Sequence, residues 1–149
     1  VLLAIAYGAY EHAVAENISV LLNDGRVGVQ VLHRDQNASD IEKQMTCGSG
    51  GGSRSRPQPP PYSALCAFQD GTVLHAIKGS HLRPLETKFA SDQVKECVIP
   101  TGWSCVFHAA LVHAGMASVG RYHARLHLYL KAGGCPQAYV GKIQVVEGV

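Results

Sequence analysis

A histidine and an aspartate flank an arginine at His33-Arg34-Asp35, the end of the Val-rich run from Val27 to Asp35. Read as a strand, that run sends alternate side chains to opposite faces, so His33 and Asp35 share one face and Arg34 takes the other. An imidazole beside a carboxylate is a pair of ligands for a metal ion. A third such group stands 78 residues after Asp35, where His113 closes a short apolar run ahead of Gly115. Two imidazoles and one carboxylate make the facial set that holds non-haem Fe(II) and leaves three positions open. Singly these signals are weak. The chain has eight His, and a lone His at the end of an apolar strand is more often structural than a ligand.

A third feature is the run from Arg121 to Leu130. Arg121, His123, Arg125, His127 and Tyr129 fall on one face, and Tyr122, Ala124, Leu126, Leu128 and Leu130 on the other. This is the period-2 pattern of a strand with one apolar side. The polar side holds no Lys, Asp or Glu, and its Arg, His and Tyr suit anion binding better than plain solvation. Arg125 lies twelve residues after His113, one turn plus one strand further on.

The elements that must position these groups read mostly as short strands. The runs are Tyr62 to Phe68, Thr72 to Ile77, Val94 to Ile99, Trp103 to Phe107, Ala110 to His113 and Tyr122 to Leu130, separated by Gly and Pro turns. Such a series predicts a β-sandwich or barrel. Val1 to Leu22 reads as an amphipathic helix with Leu2, Ile5, Ala9, Ala13 and Ile18 to one side. Cys47 to Pro61, CGSGGGSRSRPQPPP, is expected to be a flexible loop inside a single domain spanning 1–149. Trp103 is assigned to the core and His75 to a structural role.

Composition bounds the remaining choices. The chain has 149 residues, 46% hydrophobic and 16% charged, enough for one globular core without staples. Thirteen Lys+Arg against eleven Asp+Glu leave +2, too little for a nucleic-acid-coating or membrane-surface protein. Five Cys (Cys47, Cys66, Cys97, Cys105, Cys135) with no CxxC favour neither a zinc ribbon nor a disulfide framework, and point to a reduced, cytoplasmic setting. The Asn-x-Ser sequons at Asn17 and Asn37 are read as chance. No signal peptide or membrane span is expected. The chain begins with Val1 and has 32 residues ahead of His33, so it reads as a fragment or a processed product.

The order HxD, distal His, then Arg resembles the Fe(II)/2-oxoglutarate-dependent dioxygenase superfamily. The segment Thr72-Val73-Leu74-His75-Ala76-Ile77-Lys78-Gly79-Ser80-His81 is similar to an element of its phytanoyl-CoA-dioxygenase-like members. The resemblance covers roughly residues 27 to 131. It implies a mainly β double-stranded β-helix (a jelly roll, cupin-like) with the metal inside one mouth. His33, Asp35 and His113 match the metal ligands, and Arg125 matches the residue that pairs with the distal carboxylate of the cosubstrate 2-oxoglutarate. His127 and Tyr129 would border that pocket. The implied activity uses O2 to hydroxylate an organic substrate whose identity the sequence does not give, with release of succinate and CO2. Two alternatives stay open: a cupin-type metalloprotein without 2-oxoglutarate, and a non-catalytic jelly-roll binding module. A kinase reading of His-Arg-Asp fails because no Gly-rich phosphate loop and no DFG occur. A zinc deaminase fails for want of HxE and PCxxC.

Overall fold

The computed structural model describes residues 13–23, 28–46, 60–84, 87–116, 122–132 and 144–145. They form nine strands: β1 (Ala13–Asn23), β2 (His33–Arg34), β3 (Tyr62–Ala67), β4 (Thr72–Ile77), β5 (Val94–Ile99), β6 (Ser104–His108), β7 (His113–Gly115), β8 (His123–Ala132) and β9 (Gln144–Val145). A single α-helix among the described residues, α1 (Ala38–Thr46), follows β2. The strands make two antiparallel sheets, one in the order β1-β8-β3-β6 and the other β5-β4-β7-β2-β9. From β1 to β4 the chain alternates between the sheets at every step. The inner faces therefore enclose one interior, as expected of a mainly antiparallel, cupin-like β fold.

The alternation along β8 sets the two sides of its sheet. Ser63, Leu65 and Ala67 of β3 lie opposite Tyr129, His127 and Arg125, while Tyr62, Ala64 and Cys66 lie opposite Leu130, Leu128 and Leu126. The first set faces the interior. The second builds an apolar cluster on the reverse face, centred on Ala64, Leu128 and Leu130. Between the sheets Leu65, Ala67, Leu74, Ile99 and Phe107 pack together. Ile77, Phe89 and Val112 form a third cluster, and Ile77 lies on the side of β4 opposite to Leu74. Each large apolar side chain so buried contributes about 1.5–3 kcal/mol.

The amphipathic helix expected over Val1 to Leu22 is not found. Its part from Ala13 on is strand β1, and residues 1–12 lie outside the described ones. The spacing of Ala13 and Ile18 also fits one side of a helix, but Val14, Ile18 and Val20 are β-branched, and β8 offers an open edge to pair with. The period of two is broken inside β1 by a bulge: the register shifts between Glu16 and Ser19. Lys131 of β8, itself buried, pairs with Glu16 just before that bulge.

Other expectations are corrected in detail. Of the run expected from Val27 to Asp35, the described residues 28–35 enter a ladder only at His33–Arg34; before it Gln30 N–H bonds Gly115 O at 3.0 Å. The stretch from Ala110 to His113 is a turn that reaches β7 only at His113. Trp103 is 68% exposed and takes no part in the core. Helix α1 was not foreseen; Asn37 starts it, its Oδ1 accepting from Asp40 N–H at 2.9 Å and its Nδ2 donating to Asp40 Oδ2 at 2.8 Å. Of the Gly/Pro-rich stretch, residues 47–59 lie outside the described residues. Among the described residues no helix is long and apolar enough to cross a membrane.

Candidate metal centre and its cavity

His33 ends the approach to β2, Asp35 follows that strand, and His113 opens β7. His33 and His113 are direct register partners across the β2–β7 pair. The pairing brings residues distant in sequence onto one face, with ring centroids 4.5 Å apart. Their Nε2 atoms lie 3.8 and 3.6 Å from Asp35 Oδ1. One ligand atom from each of the three falls within 4.8 Å of the others, and all three residues are buried.

The histidine tautomers follow from their hydrogen bonds. His33 Nδ1 lies 2.8 Å from Val31 O, and His113 Nδ1 lies 2.9 Å from Leu111 O. A carbonyl can only accept, so each Nδ1 carries a proton and each ring turns its Nε2 toward Asp35. Burial pulls His113 below its ordinary pKa, against the opposing pull of the Asp35 charge. A neutral imidazole is the ligating form.

The other oxygen of Asp35 is held from the opposite sheet. Ser63 on β3 donates its hydroxyl to Oδ2 at 2.5 Å, and His127 Nε2 on β8 lies 3.4 Å from the same atom. Burial alone would raise the Asp35 carboxyl. The hydrogen bond from His127, the charges of His113 and His127, and the Ser63 hydroxyl outweigh it and hold the pKa below its usual value. Tyr129 hydrogen-bonds to Asp35 too; burial, then the Asp35 charge and that bond, keep its phenol protonated well above the ordinary range. The carboxylate thus offers Oδ1 to the histidines and gives Oδ2 to the far sheet.

The cluster lines a cavity of about 500 Å³ shared with Arg125, Gln30, Leu65, Leu74 and Phe107. Arg125 is buried, and among the described residues its guanidinium hydrogen-bonds the Met116 carbonyl, at 3.5 Å. Among the described residues no carboxylate pairs with it. Gly115 makes room for it: a Cβ there would collide with the guanidinium and with Gln30 Oε1, which accepts from Gly115 N–H at 2.9 Å. The structure therefore brings His33, Asp35, His113 and Arg125 together around one space. A buried cation without a carboxylate fits an incoming anion, and the donor set of two imidazoles and a carboxylate fits Fe(II).

The remaining residues sort plainly. His127 and Tyr129 border the cavity and act on Asp35 itself. Ser63 was missed; it stands 28 residues from Asp35 on another strand, and a lone Ser carries no periodic signal. Arg34 takes the opposite face, as expected, where its guanidinium donates to the carbonyls of Ser80, Arg83 and Pro84 at 3.1–3.3 Å. Ser80 and Gly79 belong to that structural turn. His75 pairs with Glu96 across strands at 3.8 Å. Arg121 and His12 lie outside the described residues.

No family model matches the chain, and no curated protein matches it. Solved structures do. The non-haem monooxygenase ThoJ superposes with a TM-score of 0.65 at 13% identity, covering 99% of this chain and 58% of that one. The non-haem α-ketoglutarate-dependent epimerase SnoN, from nogalamycin biosynthesis, gives 0.61 at 16%, covering 94% and 56%. HygX from Streptomyces hygroscopicus, with nickel and 2-oxoglutarate bound, gives 0.54 at 14%, covering 89% and 63%. The chain has the fold of these proteins and spans less than two-thirds of their length. None of the three is described as a phytanoyl-CoA dioxygenase, so the narrower resemblance gains no support.

Proposed function

We propose that this chain carries the centre of a non-haem Fe(II)- and 2-oxoglutarate-dependent oxygenase acting on a small organic molecule. The strand order supports a double-stranded β-helix, since strands 1, 8, 3 and 6 facing 2, 7, 4 and 5 is the arrangement of a jelly roll. The observation that carries the functional reading is Arg125. It is a buried cation with no carboxylate among the described residues, in the cavity that also holds the His33–Asp35–His113 cluster.

In this reading His33, His113 and Asp35 hold Fe(II). The bound metal supplies the redox chemistry by which O2 converts 2-oxoglutarate to succinate and CO2 and hydroxylates the substrate. The protein's own residues do the rest. The two Nδ1–carbonyl bonds fix the ring orientations before metal arrives. Ser63, His127 and Tyr129 fix the carboxylate plane. Arg125 receives the distal carboxylate of 2-oxoglutarate as a charge-assisted pair and aims its other end at the metal. Leu65, Leu74 and Phe107 give the cavity its apolar wall, with the Phe107 ring against His113 at 4.7 Å between centroids. The relatives supply a parallel: HygX is described with nickel and 2-oxoglutarate bound, and SnoN as α-ketoglutarate-dependent.

The test is succinate formation. Protein incubated with Fe(II), 2-oxoglutarate and O2 is expected to release succinate, and Asp35→Ala to release none above the Fe(II) background. Metal-loaded, folded protein that never converts 2-oxoglutarate, alone or with a library of small organic substrates, would contradict the reading.

A further inference from the structure

Asn17 carries three observations that the site so far does not use. It is the only non-glycine residue with positive φ among the described residues, at 49°. Its Nδ2 is buried with no hydrogen-bond partner there. It also lines the cavity that holds His33, Asp35 and His113. A left-handed backbone is tolerated by Asn but still costs energy. A buried amide donor left unpaired costs about 1–3 kcal/mol. Both penalties fall on one residue, and both come from the same bulge.

The bulge explains how the side chain reaches the cavity. Glu16 lies opposite Tyr129 and Ser19 opposite His127, so Asn17 and Ile18 together face the single position between them on β8. The extra residue re-aims the strand: Ile18 is left exposed, while the amide nitrogen of Asn17 is covered. The register also says where along the cavity the amide sits. Its neighbours on β8 are His127 and Tyr129, the residues that hold Asp35, whereas Arg125 lies opposite Leu21. Asn17 therefore stands at the metal end of the cavity and away from the Arg125 end.

We propose that Asn17 is a ligand-binding residue whose amide N–H donates to an oxygen of the oxo-acid end of 2-oxoglutarate. This rests on the 2-oxoglutarate reading above and deepens it. The distal carboxylate belongs to Arg125, so the oxygen-rich end next to the metal is the acceptor within reach of this register position. The unpaired donor and the left-handed backbone are then the structure's preparation for that bond.

Calorimetric titration of 2-oxoglutarate into the Ni(II)-loaded chain, beside Ni(II) affinity and thermal melts, tests it. Asn17→Gly keeps the left-handed backbone without strain and removes only the amide. Asn17→Asp keeps size and shape but replaces the donor with an acceptor. Both are expected to bind 2-oxoglutarate at least about tenfold more weakly, with Ni(II) affinity and melting temperature close to those of the parent. Unchanged 2-oxoglutarate affinity in Asn17→Gly, while the parent binds, would overturn the role of Asn17 alone. A loss of melting temperature or Ni(II) affinity that accounts for the weaker binding would overturn it as well, in favour of a purely structural bulge. A Ni(II)-loaded parent that binds no 2-oxoglutarate would overturn the cosubstrate reading, and this proposal with it.

Discussion

Ser63 donates its hydroxyl to Asp35 Oδ2 at 2.5 Å across the gap between the two sheets. One side chain comes from β3 in the four-stranded sheet and the other from the end of β2 in the five-stranded sheet. The bond ties the Asp35 carboxylate to the wall that also carries His127 and Arg125. Removing it leaves Asp35 to His127 and Tyr129 alone on that side and loosens the orientation of the carboxylate toward the two histidines. Outer partners of metal ligands typically contribute about 10–100-fold in affinity. Ser63→Ala is expected to lower Ni(II) or Fe(II) affinity by about that factor with the fold intact by circular dichroism. Unaltered metal affinity in calorimetry would show that the hydroxyl does not orient Asp35.

Gly115 lets Arg125 lie against β7. A methyl group at 115 would occupy the space of the guanidinium and of Gln30 Oε1, both ends of flexible side chains that can move aside. Gly115→Ala is therefore expected to displace Arg125 rather than unfold the chain. Binding of 2-oxoglutarate should weaken about tenfold or more, the loss of one charge-assisted pair. Metal affinity, which depends on residues that Gly115 does not touch, should change little. Equal loss of both affinities would assign Gly115 to the scaffold.

Arg34 shows the same alternation from its other side. Its buried guanidinium serves the carbonyls of Ser80, Arg83 and Pro84. Arg34→Leu leaves those carbonyls without their donor, that of the buried Ser80 among them, and should destabilise the fold by about 2–4 kcal/mol. Arg34→Lys should recover only part of this, since an ammonium cannot fork to three carbonyls as a planar guanidinium does. Urea unfolding of the two variants measures it; equal stability of Lys and Arg at this position would refute the argument.

His108 gives the fold a defined acid sensitivity. Burial, the neighbouring His81 and Arg34 push its pKa down to about 4. Its Nδ1 accepts from Ala110 N–H at 3.0 Å, which a protonated Nδ1 could not do. The unfolded chain takes up this proton near the ordinary value of 6.5, and the folded chain only near 4. Between those values the unfolded state binds more protons, so stability is full above 6.5 and falls as pH drops toward 4. His113, also held below 6.5, acts in the same direction as pH falls from there, while Asp35 adds its loss only below 3.8. His108→Asn should flatten the slope of unfolding free energy against pH in that window. A slope identical to the parent's would mean that His108 takes no part in it.

The sequence made legible what depends on a period of two. Along β8 every odd residue from His123 to Tyr129 turns inward, and the HxD spacing puts His33 and Asp35 on one side because residues two apart share a face. Strands β4 and β5 fell at their expected limits. What depends on contacts between sheets was not legible. Ser63 belongs to the centre only because β3 faces β2 across the interior, and nothing local to Tyr62–Ala67 records that. Strand β1 was misread because the bulge at Asn17 interrupts the alternation that would have marked a strand. Helix α1 is short, and its Asn37 cap was passed over as part of a sequon.

His33, Asp35 and His113 are proposed to hold Fe(II) in the cavity where Arg125 receives 2-oxoglutarate. Anaerobic titration of Fe(II) and then 2-oxoglutarate into the full chain, followed by visible absorbance, tests it most directly. The expected result is a metal-to-ligand charge-transfer band in the parent, absent in Asp35→Ala and shifted to much higher 2-oxoglutarate concentration in Arg125→Ala. A well-folded parent with no band, or a band that survives unchanged in both variants, would contradict it.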